Sequence, residues 1–173
     1  MKERICFMPI GVIHSPYRRP EDAPRRPCAF PAAPATVEVA ARYAAGLKDL
    51  AGFSHVVLVF HLHRSRRRAL LLKPFLDNKV RGVFATRAPW RPNPIGISVV
   101  RLKRVRGRFL EVSHVDMVDG TPLLDIKPYI PELPRRERVK LGWCEKALSK
   151  LNAGRDDLPA RRTSTTLQRR TRR

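Results

Sequence analysis

The sequence predicts a mainly β fold: a closed or nearly closed barrel, followed by one helix and a polar tail. Three observations carry this. Short apolar and β-branched runs recur at near-regular spacing over residues 5–130, with Pro and Gly signals between them, as in antiparallel barrels. That body lacks the strand–helix alternation of a parallel α/β sheet. After Pro134 the period changes to i, i+4, which marks a single helix at the end.

The elements follow in chain order. Residues 5–14 (ICFMPIGVIH) predict a strand. Six prolines between Pro16 and Pro34 then exclude regular structure for most of that stretch. Residues 35–40 (ATVEVA) predict a second strand, and 42–50 a helical turn ending near Gly52. Residues 53–63 (FSHVVLVFHLH) form the strongest strand. They are almost continuously apolar, as expected of a strand covered on both faces. The basic segment 64–73 leads into a loop. Strands over 81–86 (RGVFAT) and 95–105 (IGISVVRLKRV) flank APWRPNP, which proline makes a rigid turn. Residues 108–115 and 123–126 predict two more strands around an Asp119-Gly120 turn. In RRERVKLGWCEKALSKL, Val139, Trp143, Ala147 and Leu151 share one helical face, which Gly142 weakens. The tail is polar, Arg-rich and without periodicity, so it is read as disordered. The expected organisation is a barrel domain over 1–133, a helix over 134–152 and a tail over 153–173.

Charge narrows the partners. The 173 residues carry 36 Lys and Arg against 15 Asp and Glu, a net +21. Such a chain is drawn to polyanions, nucleic acid first, through phosphate neutralisation; a compositional preference for Arg contributes part of the excess. Cys6, Cys28 and Cys144 form no CxxC, and their odd number argues against a disulfide framework. Together with an N-terminus lacking a signal-peptide pattern and no apolar run of membrane-spanning length, this leads to the expectation of a cytoplasmic protein.

Several chemistries are absent. There is no GxGxxG after a strand, no P-loop, no GxSxG and no HExxH. His61 and His63 would share one face of a strand, but two imidazoles without further ligands fall short of a metal site, so no metal is expected. Asp116, Asp119 and Asp125 stand around a turn, where they either hold a polar or cationic group or serve turn chemistry and ion pairing. Arg87, Arg91 and Asn93 border the proline-braced turn, a platform that loses little entropy on binding. Trp90 either stacks on a base or caps the barrel. Arg64, Arg66, Arg67 and Arg68 form either a solvated face or a phosphate-binding rim.

Four blocks carry a resemblance to a known family: IGVIHSPY (Ile10–Tyr17), FSHVVLVFHLH (Phe53–His63), GVFATRAPWRPNPIGIS (Gly82–Ser98) and DMVDGTPLLDIKPYIP (Asp116–Pro131). In this order the chain resembles the TrmO (YaeB/VirR-like) family of S-adenosylmethionine-dependent tRNA N6-adenosine methyltransferases. The resemblance implies a β-barrel methyltransferase unlike the Rossmann-type ones, consistent with the missing glycine loop. It also implies a homodimer with S-adenosyl-L-methionine bound close to the subunit interface, and methylation of N6 of threonylcarbamoyladenosine 37 in threonine tRNA. By the same resemblance the cofactor contacts fall on Pro24, Arg25, Arg26, His63, Arg64, Arg87, Ile97, Asp119, Gly120, Thr121 and Pro122. His61 is then structural, and Arg66, Arg67, Arg68, Trp90 and Arg91 are left for the anticodon stem-loop.

Methyl transfer requires alignment of N6 with the methyl group and a group accepting the N6 proton; Asp119 and Asp125 are the candidates for that base. The chain departs from the family pattern at Arg26, where Gln is usual, and at Arg64, both adding charge beside a sulfonium. LLLKPFLDNKV replaces an Arg-Pro-Pro-Arg-type segment, and longer relatives carry a second C-terminal domain. Two alternatives follow: an S-adenosylmethionine-binding methyltransferase with another RNA or small-molecule substrate, and a non-catalytic nucleic-acid-binding or regulatory module on the same fold.

Overall fold

In the computed structural model the described residues are 4–24, 33–131 and 141–145. Six antiparallel strands close a barrel in the order β1-β2-β7-β6-β3-β8. They are β1 (Gly11–His14), β2 (Pro34–Val39), β3 (His55–His61), β6 (Ile95–Arg106), β7 (Phe109–Ser113) and β8 (Thr121–Pro128). A two-residue hairpin, β4 (Leu71–Leu72) with β5 (Arg81–Gly82), sits outside it. Closure leaves no unpaired edge, and alternate residues of each strand fill the interior. Ile13, Val37, Val56, Leu58, Val100, Leu110, Val112 and Leu123 are almost wholly buried there. Leu47 and Leu50, from the 3₁₀ helices Ala41–Leu47 and Leu50–Gly52, join the same core. The interior is packed side chain, so any ligand must bind outside it or at a rim.

The expected strands form, with four differences. β1 is only four residues long. Its start coincides with the point where Gly11 pairs with both Val39 of β2 and Leu123 of β8. Gly11 is required there: a Cβ would lie 2.2 Å from the Glu38 carbonyl oxygen. Upstream, Ile5, Phe7 and Met8 have no strand to pair with and are 74%, 67% and 64% exposed. β3 strictly alternates in burial, so only one of its faces is covered within this chain. The strand expected over 81–86 ends after Gly82, because Val83–Ala85 turns as a 3₁₀ helix whose first carbonyl, that of Val83, accepts both the N–H and the hydroxyl of Thr86. β4 arises where a basic loop was expected; Asp77 receives the Arg81 Nε–H and Nη2–H at 2.8 and 2.6 Å and closes the β4–β5 loop.

Only Leu141–Glu145 of the expected C-terminal helix lies within the described residues, and the tail lies outside them. Gly142 has a left-handed φ of 57°, so the helical turn begins after it, at Cys144. Trp143 anchors this segment by donating its Nε1–H to the Ala85 carbonyl at 2.8 Å.

Strand direction decides where the connections emerge. Antiparallel order places the ends of β1, β3 and β7 and the starts of β2, β6 and β8 at one rim. The β1–β2 loop, the long β3–β6 connection and the β7–β8 loop all open there. The short β6–β7 turn and the two core-facing 3₁₀ helices close the other rim.

Candidate functional site at one rim of the barrel

Nearly every residue singled out from sequence lies at that first rim, although the residues come from three separate stretches. Pro24 is buried in the β1–β2 loop, while Arg25 and Arg26 lie outside the described residues. His63 to Arg68 and Arg87 to Arg91 belong to the β3–β6 connection, Ile97 to the start of β6, and Asp119 to Pro122 to the entry of β8.

Hydrogen bonds knit the two parts of the β3–β6 connection together. Leu62 N–H donates to the Pro94 carbonyl at 2.7 Å, Ser65 Oγ–H to that of Pro89 at 2.9 Å, and Ala69 N–H to that of Trp90 at 3.0 Å. The Arg67 guanidinium stacks 4.4 Å from the Trp90 ring centroid, so one face of that ring is occupied. Arg91 serves the loop: its Nη1 donates to the Val83 and Thr86 carbonyls at 3.1 and 2.8 Å. Arg68 likewise donates to the carbonyls of Ser65 and Arg67. Arg64 and Arg66 are exposed and have no hydrogen-bond or ion-pair partner among the described residues.

Arg87, Ile97, Ser98 and Asp116 form a connected group. Arg87 Nη2 donates to the Ile97 carbonyl at 2.5 Å, and the Ser98 Oγ–H donates to Asp116 Oδ1 at 2.5 Å. Ser98 is 3% exposed and faces inward, whereas the Ile97 side chain is 53% exposed on the outer wall. Burial raises the Asp116 pKa above its ordinary value, while the Ser98 hydroxyl and the positive charge of Arg87 oppose that rise.

The Asp119 turn is held by Ser15 and Tyr17, just after β1. Asp119 N–H donates to the Tyr17 carbonyl at 2.7 Å, its Oδ1 accepts the Ser15 N–H at 3.1 Å, and Ser15 Oγ–H donates to the Met117 carbonyl at 2.7 Å. Gly120 has a φ of 72°, a left-handed conformation that explains a glycine here. Thr121 is buried and caps the turn through its hydroxyl on the Val118 carbonyl. The Asp119 carboxylate remains half exposed, with His14 at 3.7 Å.

The three carboxylates are thereby separated. Asp125 lies on the outer wall of β8 opposite Val59 and pairs with Lys127 at 2.7 Å. Asp119 is at the rim but committed to the turn. Asp116 stands beside Arg87 and Ile97 in a less polar setting. Its signal in the sequence is the first Asp of DMVDGTP, three residues ahead of the Asp that draws attention to the turn.

The residues present fit S-adenosylmethionine. His63 Nδ1 is buried without a hydrogen-bond partner from the protein, an arrangement that a ligand group would complete. Burial, then the charge of Arg64, then His61, lower the His63 pKa against a smaller opposing effect of the His61 backbone. The lowering favours the neutral ring, the form with a nitrogen able to accept a hydrogen bond. The Arg87 guanidinium, the half-exposed Asp119 carboxylate and the exposed Ile97 offer cationic, anionic and apolar contacts respectively. Among the described residues no three His, Cys, Asp or Glu side chains group as metal ligands, and no helix is long and apolar enough to cross a membrane.

Comparison with known proteins gives the same answer. The family model described as the tRNA-methyltransferase O N-terminal domain matches residues 12–134. A probable S-adenosyl-L-methionine-binding protein of Pyrococcus abyssi is 52% identical over 153 residues, covering 88% of this chain and 83% of that protein. The tRNA (adenine(37)-N6)-methyltransferase of Escherichia coli is 41% identical over 135 residues, covering 72% of this chain and 57% of that protein. The crystal structure of TrmO from Pseudomonas aeruginosa superposes with a TM-score of 0.66 at 39% identity, covering 79% of this chain and 61% of that one. The chain thus spans most of the archaeal relative and little more than half of the bacterial ones. With the family model matching residues 12–134 and the barrel superposing on that structure, the chain belongs to the tRNA-methyltransferase O family.

Proposed function

We propose that this protein is an S-adenosylmethionine-dependent tRNA methyltransferase acting on N6 of adenine 37, with threonylcarbamoyladenosine in threonine tRNA as the substrate. The observation that carries the reading is the gathering at one rim of His63, Arg87 and Ile97, from the β3–β6 connection and the start of β6, with the Asp119–Pro122 turn from the entry of β8. The name of the Escherichia coli relative supports the position and the atom; the net charge of +21 supports an RNA partner. Its setting is the cytoplasm.

S-adenosylmethionine supplies the methyl group as a sulfonium. Arg87 is already oriented by the Ile97 carbonyl and holds an anionic or polar part of the cofactor, with His63 Nδ1 accepting a hydrogen bond from it. Asp119 faces the cofactor from the β8 entry. Asp116 is the proton acceptor for N6, in place of Asp119 or Asp125: its carboxylate sits beside Arg87, and burial moves its basicity upward, toward that of a useful base. Arg64 and Arg66 remain available to phosphates.

A homodimer completes the site. Ile95, Ile97 and Val99 line the outer wall of β6 at 37%, 53% and 41% exposure, beside the half-buried Val57 and Val59 of β3. A partner subunit covering this apolar strip would bring a second surface against Ile97 and shield the cofactor from water.

The test is incubation of the protein with labelled S-adenosylmethionine and tRNA from a strain lacking its own enzyme, followed by nucleoside mass spectrometry. Label on N6 of threonylcarbamoyladenosine is expected. Label on another nucleoside would retain the methyltransferase and remove this substrate. No label on any RNA would remove the reading.

A further inference from the structure

β6 is divided along its length. Its first five residues put Ile95, Ile97 and Val99 on the outer wall, and its second half puts Arg101, Lys103, Arg104 and Arg106 there. Strict alternation would send one of the adjacent pair Lys103 and Arg104 into the core. A β-bulge prevents this. The register to β7 passes from Leu102↔Val112 to Arg104↔Glu111, leaving Lys103 as the extra residue. Leu102 stays buried and Val105 half-buried, while Lys103 and Arg104 are both exposed. Bulges re-aim side chains at the cost of ladder hydrogen bonding, and here the result is one additional cation on the outer wall.

Three of the four cations are unspent. Arg106 pairs with Glu111 at 3.3 Å, but Arg101, Lys103 and Arg104 have no ion pair, hydrogen bond or ring contact among the described residues. Exposed aromatics flank them. Tyr129 is 44% exposed and lies edge-on to His55, the residue opposite Arg101, while Phe109 is 38% exposed at the β6–β7 turn. Unpaired cations interleaved with exposed aromatics suit a nucleic acid better than a protein surface.

We infer that the basic half of β6 is a docking ridge for the phosphate backbone of an RNA stem whose loop enters the rim site. This rests on the proposed methyltransferase reading for what the rim does, but not for whether the ridge binds RNA. The dimensions agree. At about 3.3 Å per residue, the ridge begins ~13 Å from Ile97 and ends ~30 Å from it. A duplex segment of that length carries several phosphates per strand. The apolar half of the strand is left to a partner subunit and the basic half to the stem.

The test compares the full chain with the variant R101S/K103S/R104S and with the control R42S/K48S/K79S, which removes three exposed cations elsewhere. The probes are a fluorescent RNA stem-loop and the same loop without its stem, with affinity followed by anisotropy across a salt series. R101S/K103S/R104S should bind the stem-loop at least tenfold more weakly at low salt. Its log Kd against log [salt] slope should be shallower by about 2–3. Its binding of the loop alone and its calorimetric affinity for S-adenosylmethionine should be unchanged. The milder K103S/R104S should show about two thirds of the slope change, and unfolding curves of both variants establish that the barrel is intact. An unchanged slope, an equal loss in the control, or an equal loss for the stemless loop would each overturn the ridge. If the wild-type chain labels no nucleoside of tRNA from a strain lacking its own enzyme, the proposed function fails while the anisotropy result still decides the ridge.

Discussion

Gly96, the last residue of Pro-Asn-Pro-Ile-Gly, ties the rim motif to the core, and Gly96→Ala tests that tie. A Cβ at this position would stand 2.3 Å from Cε2 and 2.5 Å from Cζ of Phe60, the residue paired with it across β3 and β6. Phe60 is 3% exposed, so its ring has no open space into which to swing. Inserting one methyl into such a site costs about 1–3 kcal/mol, of which the lower unfolded-state entropy of Ala returns about 0.5–1. A net loss of about 1–2 kcal/mol lowers Tm by ~4–10 °C for a barrel of this size. Circular dichroism melts measure it. Phe60→Leu should restore much of the loss in the Gly96→Ala background while destabilising the wild type, a coupling of about 0.5–3 kcal/mol. Because Ile97 is the next residue and its carbonyl orients Arg87, cofactor affinity should fall with stability and recover in the double variant. A Gly96→Ala melt within one degree of wild type, or additive double-mutant energies, would refute the steric account.

Other expectations follow from the same geometry. Arg87→Ala removes a charge-assisted hydrogen bond and should weaken S-adenosylmethionine binding by about tenfold or more in calorimetry, with Arg87→Lys restoring only part of it. Asp116→Asn should lower the methyl-transfer rate by about 10²-fold or more with little change in cofactor affinity, as loss of a proton acceptor does. Burial raises the Asp116 pKa from 3.8, so its contribution to stability is fully present below the unfolded value and is lost as pH rises through the folded value. Asp116→Asn should therefore flatten the stability profile in that window and stabilise the barrel at neutral pH; a wild-type profile in the variant would exclude the titration. Gly120→Ala forces a side chain into a φ of 72° and should cost about 1–2 kcal/mol in chemical denaturation.

Much of the barrel was legible before folding because inward positions of an antiparallel strand must be apolar every second residue. That pattern exposed β2, β3, β6, β7 and β8 to within a few residues. Strand length was less legible. β1 begins at Gly11, opposite the last residue of β2, Val39, while β8 runs on past Leu123 paired with β3, and the apolar residues before Gly11 have the composition of a strand without a sheet to join. β3 was expected to be covered on both faces; its outward Val57 and Val59 are only half-buried, so an apolar run reported a surface that this chain alone does not cover. The β4–β5 hairpin was hidden because two residues per strand carry no period.

For the candidate site, sequence alone nominated the residues, through long motif blocks of unusual composition, and determined that the chain is basic and built from strands. Tertiary structure decided where those residues stand and what each is free to do. Strand order, a property of long-range pairing invisible to local pattern, brings three stretches to one rim. The hydrogen bonds formed there commit Arg91 to its loop and Asp125 to Lys127, while Asp116 is left beside Arg87 with its basicity raised by burial.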